Sequence, residues 1–401
     1  MKNFLLATVS ALLMTSAFDL HWLFAFVCLI PLLVIHNQEL PTWKHILLGS
    51  YTGVLFALLN MRWHWGISLS HMGIDTAWPF IFVIWLISGL CGAWVGLWSY
   101  MVTKTQNGVF LAFGWGISEV IRAWFIALLW YAPGAMLGTH WTVGFLGYSL
   151  AESPLVALAS LYGGVVTLGV FIALVNILIY KSFKRKPGLK TDYAFHLVML
   201  ITVVGLFTYH FQTKPDVKEP LSISIDIREE ADLIILPENA SWFSGEWPEY
   251  KDSLIIDSSN GKFRFIYTAD KLALDGNKFL LMPHGEYQPI LTKPIVKLLG
   301  AEDKIPDREI TPKSSLQYVK GVSVLATACS DVLSYSLFRG LDVDVITNSA
   351  SHSWFEKSGL LEKHAQQWAR VRAVESNAWY YQSTNYGKSF KVSPKGELIY
   401  L

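Results

Sequence analysis

Apolar residues dominate the first half of the chain and fall into seven stretches of spanning or nearly spanning length. These stretches lie at about residues 3–18, 20–36, 43–60, 77–101, 107–130, 158–181 and 193–211. A membrane-crossing helix needs roughly 20 apolar residues, so the first two stretches are short. The pattern predicts a polytopic α-helical membrane domain of about seven helices over residues 1–211. A cleaved signal peptide is the alternative for the first stretch, because Lys2 precedes an apolar run that ends in Thr15-Ser16-Ala17.

The pattern changes after a short linker marked by Pro215 and Pro220. Short β-branched runs then alternate with polar and helical segments. The strand-like runs are residues 222–227, 231–236, 262–267, 278–282, 321–326 and 343–347. Residues 360–377 carry apolar side chains at helical spacing. Strands mixed with helices predict an α/β layered sandwich domain over residues 212–401.

The charges follow the same division. The chain has 32 Lys and Arg and 31 Asp and Glu, of which only ten lie in residues 1–180. With 52% hydrophobic residues and a mean hydropathy of +0.36, the chain is a membrane half joined to a water-soluble half. A formal net charge of +1 gives no electrostatic reason to expect nucleic acid as a partner.

The distribution of Lys and Arg predicts the orientation of the membrane domain. If the first end is cytoplasmic, the outer loops carry only Arg62, and the inner loops carry Lys44, Lys104, Lys181, Lys184, Arg185, Lys186 and Lys190. This asymmetry matches the positive-inside rule. Seven crossings then predict a bacterial inner-membrane protein whose residues 212–401 lie on the periplasmic or outer side. An even number of spans would place that domain in the cytoplasm.

Two ionisable residues lie within the fifth apolar stretch. Glu119 and Arg122 are three residues apart and therefore share one helix face. Such groups at membrane depth usually pair inside a bundle. The pair is interpreted either as a structural ion pair or as a polar floor beneath a lipid headgroup site. The outer loop that follows, at about 131–157, is long and aromatic. Four aromatic side chains are typical of interfacial anchors on the outer side: Trp130, Tyr131, Trp141 and Tyr148.

One cysteine stands out among the three. Cys28 and Cys91 lie in predicted spans, where a small apolar residue is ordinary. Cys329 is the only cysteine of the soluble half, and it follows the apolar strand at 322–326. It is either an inert buried thiol or a reactive one.

Two further segments make the reactive interpretation chemically plausible. Glu238 follows an apolar strand that ends in Pro237, and Lys278 begins a predicted strand that is followed by Glu286 in a turn. A carboxylate, an ammonium and a thiol at strand ends form a set suited to acyl transfer. The carboxylate takes the thiol proton, and the lysine favours the thiolate and the developing oxyanion. The histidines lack metal-ligand spacing and no glycine-rich phosphate loop is present, so we predict no metal and no cofactor.

These segments, in this order, resemble the Glu–Lys–Cys catalytic set of the nitrilase, or carbon–nitrogen hydrolase, superfamily. With the membrane half, the chain resembles the apolipoprotein N-acyltransferase family, which adds the third acyl chain to bacterial lipoproteins. The matching positions run from about residue 107 to 390. They are residues 119–122, 146–149, 153–155, Pro237, Glu238, Lys278, Pro283, Gly285, Glu286, Tyr287, Cys329, Asn348, Ser353, Trp354, Phe355, His364, 369–375 and 384–387.

The resemblance implies a nitrilase-like αββα sandwich with Glu238 as general base, Lys278 as oxyanion stabiliser and Cys329 as nucleophile. Glu286 and Asp331 would be supporting carboxylates. It implies a membrane N-acyltransferase of lipoprotein biosynthesis that works by a ping-pong reaction. Cys329 would take a fatty acyl chain from a phospholipid as a thioester and pass it to the N-terminal amine of a lipoprotein.

Three departures separate this chain from the family pattern. Ser330-Asp331 follows the cysteine where the family usually has Tyr-Glu. The predicted strands at 222–227 and 231–236 are nearly adjacent, where the family has a glutamine-containing loop and a long helix. The family usually ends with a final membrane helix, which we expect to be missing here because the sequence stops at Leu401. These departures leave two alternatives open: a diverged thiol amidase or acyltransferase acting on another substrate, and a non-catalytic relative such as a plasmid conjugation accessory membrane protein.

Overall fold

The computed structural model describes residues 1–66, 78–133, 135–184, 193–240, 252–259, 262–269, 272–283, 286–298, 315–352 and 358–401. Several residues singled out in the sequence lie outside these ranges, namely Arg185, Lys186, Lys190, His284, Gly285, Ser353, Trp354 and Phe355. The chain divides into two compact units. The first contains Met1–Trp65, Ile81–Ile126 and Thr142–Lys214, and the second contains Ala127–Trp141 and Pro215–Leu401.

The first unit is helical. Its helices are α1 (Lys2–Asp19), α2 (Ile30–His36), α3 (Thr42–Asn60), α4 (Trp78–Leu90), α5 (Val95–Lys104), α6 (Gly108–Leu129), α7 (Val165–Phe183) and α8 (Tyr193–Thr213). Among the described residues, five stretches are long and apolar enough to cross a membrane: Thr42–Gly66, Ile81–Lys104, Gly108–Leu129, Val165–Phe183 and Phe195–Thr213. The stretch Trp22–His36 is a shorter apolar helix. The predicted polytopic helical membrane part is therefore confirmed, and the chain is a multi-pass membrane protein.

Small residues allow the helices of this unit to approach closely. A Cβ atom added to Gly53 of α3 would lie 1.9 Å from the backbone oxygen of Gly92. A Cβ atom on Gly92 would in turn lie 2.0 Å from the backbone oxygen of Gly53. Close backbone contact through small residues is a common way to pack helices in a bilayer, where the hydrophobic effect gives little help.

The ionisable pair of α6 binds residues in the middle of the predicted outer loop. The Glu119 Oε1 atom accepts a hydrogen bond from the Leu146 backbone N–H at 2.6 Å. Arg122 donates to the Val143 carbonyl at 2.9 Å, and its guanidinium lies 5.1 Å from the ring centroid of Phe145. These contacts favour the structural interpretation of the pair, because both side chains hold the backbone of residues 143–146.

The α/β part of the second unit contains two sheets. The first has the order β1 to β5, with β1 (Ile223–Ser224), β2 (Leu233–Ile235), β3 (Leu254–Ser259), β4 (Lys262–Tyr267) and β5 (Leu272–Asn277). The second has the order β11 to β6, with β6 (Leu316–Val319), β7 (Val322–Ala328), β8 (Val345–Ala350), β9 (Trp379–Thr384), β10 (Phe390–Val392) and β11 (Leu398–Tyr400). In each sheet three adjacent strands are parallel: β1, β2 and β3 in the first, and β7, β8 and β9 in the second.

The two sheets share one hydrophobic core. It joins Ile235, Ile256 and Phe265 of the first sheet with Val324 and Val345 of the second, all of them buried. The described helices of this part are α9 (Lys293–Leu298), α10 (Tyr335–Phe338) and α11 (Gly359–Ser376), and α11 contacts β9 and β10. This two-sheet α/β architecture confirms the predicted fold class. Between β1 and β2 the chain forms a turn rather than a helix.

One predicted strand is wrong and bears on the site. Residues 278–282 were expected to be a strand beginning at Lys278, but β5 ends at Asn277 and Lys278 directly follows it. The backbone of this run bonds to side chains instead of a neighbouring strand. Leu280 N–H donates to Asp331, and Met282 N–H donates to Glu286. An apolar run of five residues is equally compatible with a strand or a buried loop, so the pattern alone could not separate them.

Candidate active site

Cys329 lies where β7 ends and a short 3₁₀ helix begins. That helix spans Cys329–Leu333, and Cys329 itself has a φ of 48°, in the left-handed region that a residue with a side chain seldom occupies. Such strain persists only where the surrounding structure enforces it, and it is often found at functional sites. Cys329 as a whole is half-buried.

Lys278 is buried between two carboxylates. Only 1% of its side chain is exposed, and Nζ lies 2.9 Å from Glu286 Oε2 and 3.9 Å from Glu238 Oε1. Burial would lower the pKa of Lys278, but the charges of Glu286, Glu238, Cys329 and Asp331 raise it overall. The lysine therefore remains an ammonium and supplies a permanent positive charge to the site.

The two carboxylates differ in how they are held. Glu286 Oε2 accepts from Lys278 Nζ at 2.9 Å and from the Met282 N–H at 2.7 Å. Glu238 follows β2, and its backbone oxygen accepts from Asn385 Nδ2 at 3.3 Å. Glu286 is thus anchored on the lysine, whereas Glu238 stands farther from it. This difference suits Glu238 better to exchange a proton.

Asp331 binds the backbone both at the residue before Cys329 and in the segment that follows Lys278. Its Oδ1 accepts from the Leu280 N–H at 2.5 Å, and its Oδ2 accepts from the Ala328 N–H at 2.9 Å. The neighbouring Ser330 Oγ donates to the Leu280 carbonyl at 2.7 Å. Ser330 and Asp331 therefore tie the Cys329 turn to the segment that carries Lys278. Aspartate is shorter than the glutamate that the family usually has here, and the Asp331 carboxylate still accepts from both the Leu280 and the Ala328 N–H.

Burial decides the protonation of the thiol. It raises the pKa of Cys329 to about 12, although the Lys278 ammonium lowers it, and the surrounding carboxylates raise it further. The expected thiolate is therefore not the resting form at neutral pH, because desolvation outweighs the attraction of one ammonium. Burial also raises the pKa of Asp331 to about 7, against the lowering effects of Lys278 and the backbone N–H donors. A thiol of this kind needs a base to take its proton during attack.

The arrangement brings together all five site residues predicted from the sequence. Lys278, Glu238 and Glu286 are linked by ion-pair distances, and Cys329 and Asp331 interact electrostatically with the same lysine. The sequence analysis did not predict that residues 127–141 belong to the same compact unit as the site. The only signal was the length and aromatic content of that loop. Among the described residues, no cluster of three or more His, Cys, Asp or Glu could hold a metal ion.

Comparisons with known proteins find apolipoprotein N-acyltransferases similar to this chain. Residues 10–178 match the family model of the apolipoprotein N-acyltransferase N-terminal domain. An apolipoprotein N-acyltransferase of Neisseria meningitidis serogroup A is 30% identical over 124 residues, which are 30% of this chain and 24% of that protein. An apolipoprotein N-acyltransferase of Thermosynechococcus vestitus is 24% identical over 442 aligned positions, covering 95% of this chain and 83% of that protein.

Among solved structures, XC1258 from Xanthomonas campestris, a CN-hydrolase superfamily protein, aligns with 43% of this chain and 74% of its own. The TM-score is 0.31 and the sequence identity is 15%. For the Neisseria relative described above, this chain spans about a quarter of that protein's length. The family model and these curated relatives together show that the chain is similar to the apolipoprotein N-acyltransferase family.

Proposed function

We propose that this chain is a membrane acyltransferase that moves a fatty acyl chain from a phospholipid, through a thioester on Cys329, to the N-terminal amine of a lipoprotein. The observation that carries the proposal is the buried Lys278 ammonium, held between Glu286 and Glu238 beside a half-buried thiol at a strand end. The membrane half supports lipid substrates, since donor and acceptor are both confined to the bilayer and a tethered site supplies proximity.

In the first half-reaction, Cys329 Sγ attacks the carbonyl carbon of a phospholipid ester. Its proton passes to Glu238, because the raised pKa of the thiol keeps that proton on the sulfur until attack begins. The carbonyl oxygen becomes an oxyanion that the Lys278 ammonium stabilises. Collapse breaks the carbon–oxygen ester bond, and the glycerol oxygen leaves with the proton from Glu238. The products are a lysophospholipid and an acyl thioester on Cys329.

In the second half-reaction, the lipoprotein α-amine attacks the thioester carbonyl carbon. The amine gives up a proton to Glu238, and the Lys278 ammonium again stabilises the oxyanion. Collapse breaks the carbon–sulfur bond, and the leaving sulfur recovers its proton from Glu238. The amide is released and the free thiol is restored.

Glu286 and Asp331 have supporting roles in this scheme. Glu286 holds the ammonium and the Met282 backbone through the same oxygen. Both oxygens of Asp331 accept backbone N–H bonds, so this carboxyl positions the turn and does not carry the substrate proton. No cofactor takes part in either half-reaction.

The proposed location is the bacterial inner membrane, with the catalytic domain on the periplasmic or outer side. The support is the concentration of Lys and Arg in the predicted inner loops, with Arg62 alone on the outer side. The proposed division assigns residues 1–211 to the membrane domain and 212–401 to the catalytic domain.

Transfer to an amine tests the complete reaction. The purified full chain is incubated with a phospholipid bearing an isotope-labelled acyl chain and a synthetic diacylglyceryl-cysteine peptide. The proposal predicts labelled amide on the peptide with wild-type protein and none with Cys329→Ala. Hydrolysis of small soluble amides without lipid, together with no peptide acylation, would instead support a thiol amidase. Absence of both activities in folded protein would support a non-catalytic relative.

A further inference from the structure

The last residues of helix α6 and the loop that follows it pack against the α/β part of the second unit. We call these described residues, 127–133 and 135–141, the strap. They belong to the same compact unit as residues 215–401. The strap contacts each of three segments that carry site residues: the Glu286 segment, the Lys278 segment and the Cys329 turn.

The first half of the strap holds the Glu286 segment. Tyr287, the residue after Glu286, donates its hydroxyl hydrogen to the Trp130 carbonyl at 2.7 Å. The Ile290 N–H donates to the Tyr131 carbonyl at 2.9 Å. Both Tyr287 and Trp130 are buried, with 3% and 5% exposed, so these bonds are shielded from water. Ala132 packs in the same apolar cluster as Tyr287 and Leu281.

The second half of the strap joins the other two segments through His140. The ring of His140 lies edge-on to Phe279, the residue after Lys278, with centroids 5.5 Å apart. His140 Nδ1 lies 3.0 Å from Ser334 Oγ and 2.9 Å from Ser336 Oγ. Ser334 directly follows the 3₁₀ helix that begins at Cys329, and Ser336 lies in the next helix, α10. His140 is 3% exposed and bridges the lysine segment and the cysteine turn.

A backbone bond adds to this bridge. The Tyr335 N–H donates to the Thr139 carbonyl at 3.1 Å. Lys278 and Cys329 directly follow the ends of β5 and β7, and Glu286 lies in the irregular segment after β5. Their relative positions therefore depend on contacts other than the strand ladder. A misplacement of about 1 Å can lower a catalysed rate on the order of 100-fold.

We propose that the strap is a built-in part of the catalytic site, and that His140 is a positioning residue that holds the Lys278 segment against the Cys329 turn. The inference rests on the proposed acyltransfer for its rate effect. A consequence is that residues 212–401 alone lack part of the structure that aligns the reacting groups. The segment that completes the site is the one joined directly to the end of a membrane span.

Four full-length variants test this proposal. His140→Phe keeps a ring against Phe279 but removes the bonds to Ser334 and Ser336, and His140→Asn restores a hydrogen-bonding group near the position of Nδ1. Tyr287→Phe removes only the hydroxyl bonded to Trp130. Tyr267→Phe is the matched control, because it removes one hydroxyl bond, to Gln317 at 2.8 Å, elsewhere in the sandwich.

Two readouts separate positioning from general stability. The first is the rate of thioester formation from phospholipid, resolved into kcat and KM. The second is hydrogen–deuterium exchange at Ile290 and Tyr335, whose N–H groups bond to the strap. We expect His140→Phe and Tyr287→Phe to lower kcat at least tenfold with KM and the unfolding temperature unchanged. Exchange should accelerate at Tyr335 in His140→Phe and at Ile290 in Tyr287→Phe. His140→Asn should recover most of kcat, and Tyr267→Phe should match wild type.

Unchanged exchange and unchanged kcat in both strap variants would overturn the inference. So would an equal loss in the Tyr267→Phe control, which would indicate a general effect on the domain. The exchange measurement does not depend on acyl transfer. If the protein forms no thioester, the proposed function is contradicted. Faster exchange in the strap variants of that same protein would still support the strap as a positioning element.

Discussion

The ammonium of Lys278 is bonded to Glu286 Oε2 at 2.9 Å in a site where only 1% of the lysine side chain is exposed. A charge so far from water is stable only because carboxylates compensate for its lost hydration. The same ammonium interacts electrostatically with Cys329. Structure and proposed chemistry therefore depend on one ion pair.

Replacing this lysine should damage both stability and activity. Lys278→Met would leave Glu238 and Glu286 buried without their cation, which costs about 3–5 kcal/mol in the free energy of unfolding. Loss of the oxyanion partner should lower thioester formation on the order of 100- to 1,000-fold. Thermal unfolding in detergent and the initial rate of acyl-adduct formation measure the two effects.

The matched control is Lys395→Met. Lys395 pairs with Asp216 at 2.6 Å, but 86% of the aspartate side chain is exposed. An exposed pair contributes about 0–1 kcal/mol, so this variant should unfold and react like wild type. Similar losses in both lysine variants would contradict the role assigned to burial.

The protonation of Cys329 can be read from its alkylation rate. Since burial raises the pKa of this thiol to about 12, the thiolate fraction should grow about tenfold per pH unit from pH 7 to 10. The rate of iodoacetamide labelling at Cys329, followed by peptide mass, should rise in parallel without a plateau. Lys278→Met should slow labelling at each pH, because the ammonium lowers the pKa of the thiol. A plateau near pH 8 in wild type would show a resting thiolate instead.

Asp331 should make the protein less stable as pH rises. Its pKa is about 4 in an unfolded chain and about 7 in the folded protein, so folding favours its protonated form. Its contribution to the free energy of unfolding is therefore largest below pH 4 and falls as pH rises from 4 to 7. Asp331→Asn should flatten this part of the profile measured by thermal unfolding at fixed pH values. A profile identical to wild type would contradict the raised pKa.

Helix packing in the membrane half predicts that alanine substitution lowers the unfolding temperature at Gly53 but not at Gly205. Gly53→Ala places a methyl group 1.9 Å from the Gly92 oxygen, whereas a Cβ atom on Gly205 of α8 meets nothing within 4 Å. Overpacking of this kind costs about 1–3 kcal/mol, so Gly53→Ala should lower the unfolding temperature in detergent by several degrees. Gly205→Ala should leave it unchanged or slightly higher. Equal behaviour would show that α3 and the Gly92 turn are not in close contact.

The sequence predicted the helical membrane part, α11 and five of the eleven described strands, but not the local geometry of the site. Strand β4 lies where the alternation placed it, at Lys262–Tyr267, and α11 begins and ends within one residue of the predicted 360–377. The buried run after Lys278 was misassigned because its backbone partners are side chains 4 to 51 residues away. Such pairing is decided by tertiary packing and leaves no periodic trace.

The packing of the strap on the α/β part could not be predicted from the sequence for a related reason. Trp130, expected to be an interfacial anchor, is buried with its carbonyl bonded to Tyr287. An aromatic residue beside a span has the same local sequence whether it faces lipid or packs on a folded domain. The positive φ of Cys329 likewise depends on how the turn is held by Asp331 and Ser330, not on local preference.

Intact mass measurement of the phospholipid-treated protein tests the central claim most directly. The full chain is incubated with a phospholipid of defined acyl composition, without acceptor, and then analysed by intact and peptide mass. The account predicts one added acyl group that maps to Cys329, is released by hydroxylamine as a thioester should be, and is absent in Cys329→Ala. Folded protein that gains no acyl group, or one that carries it on another residue in wild type and Cys329→Ala alike, would contradict the account.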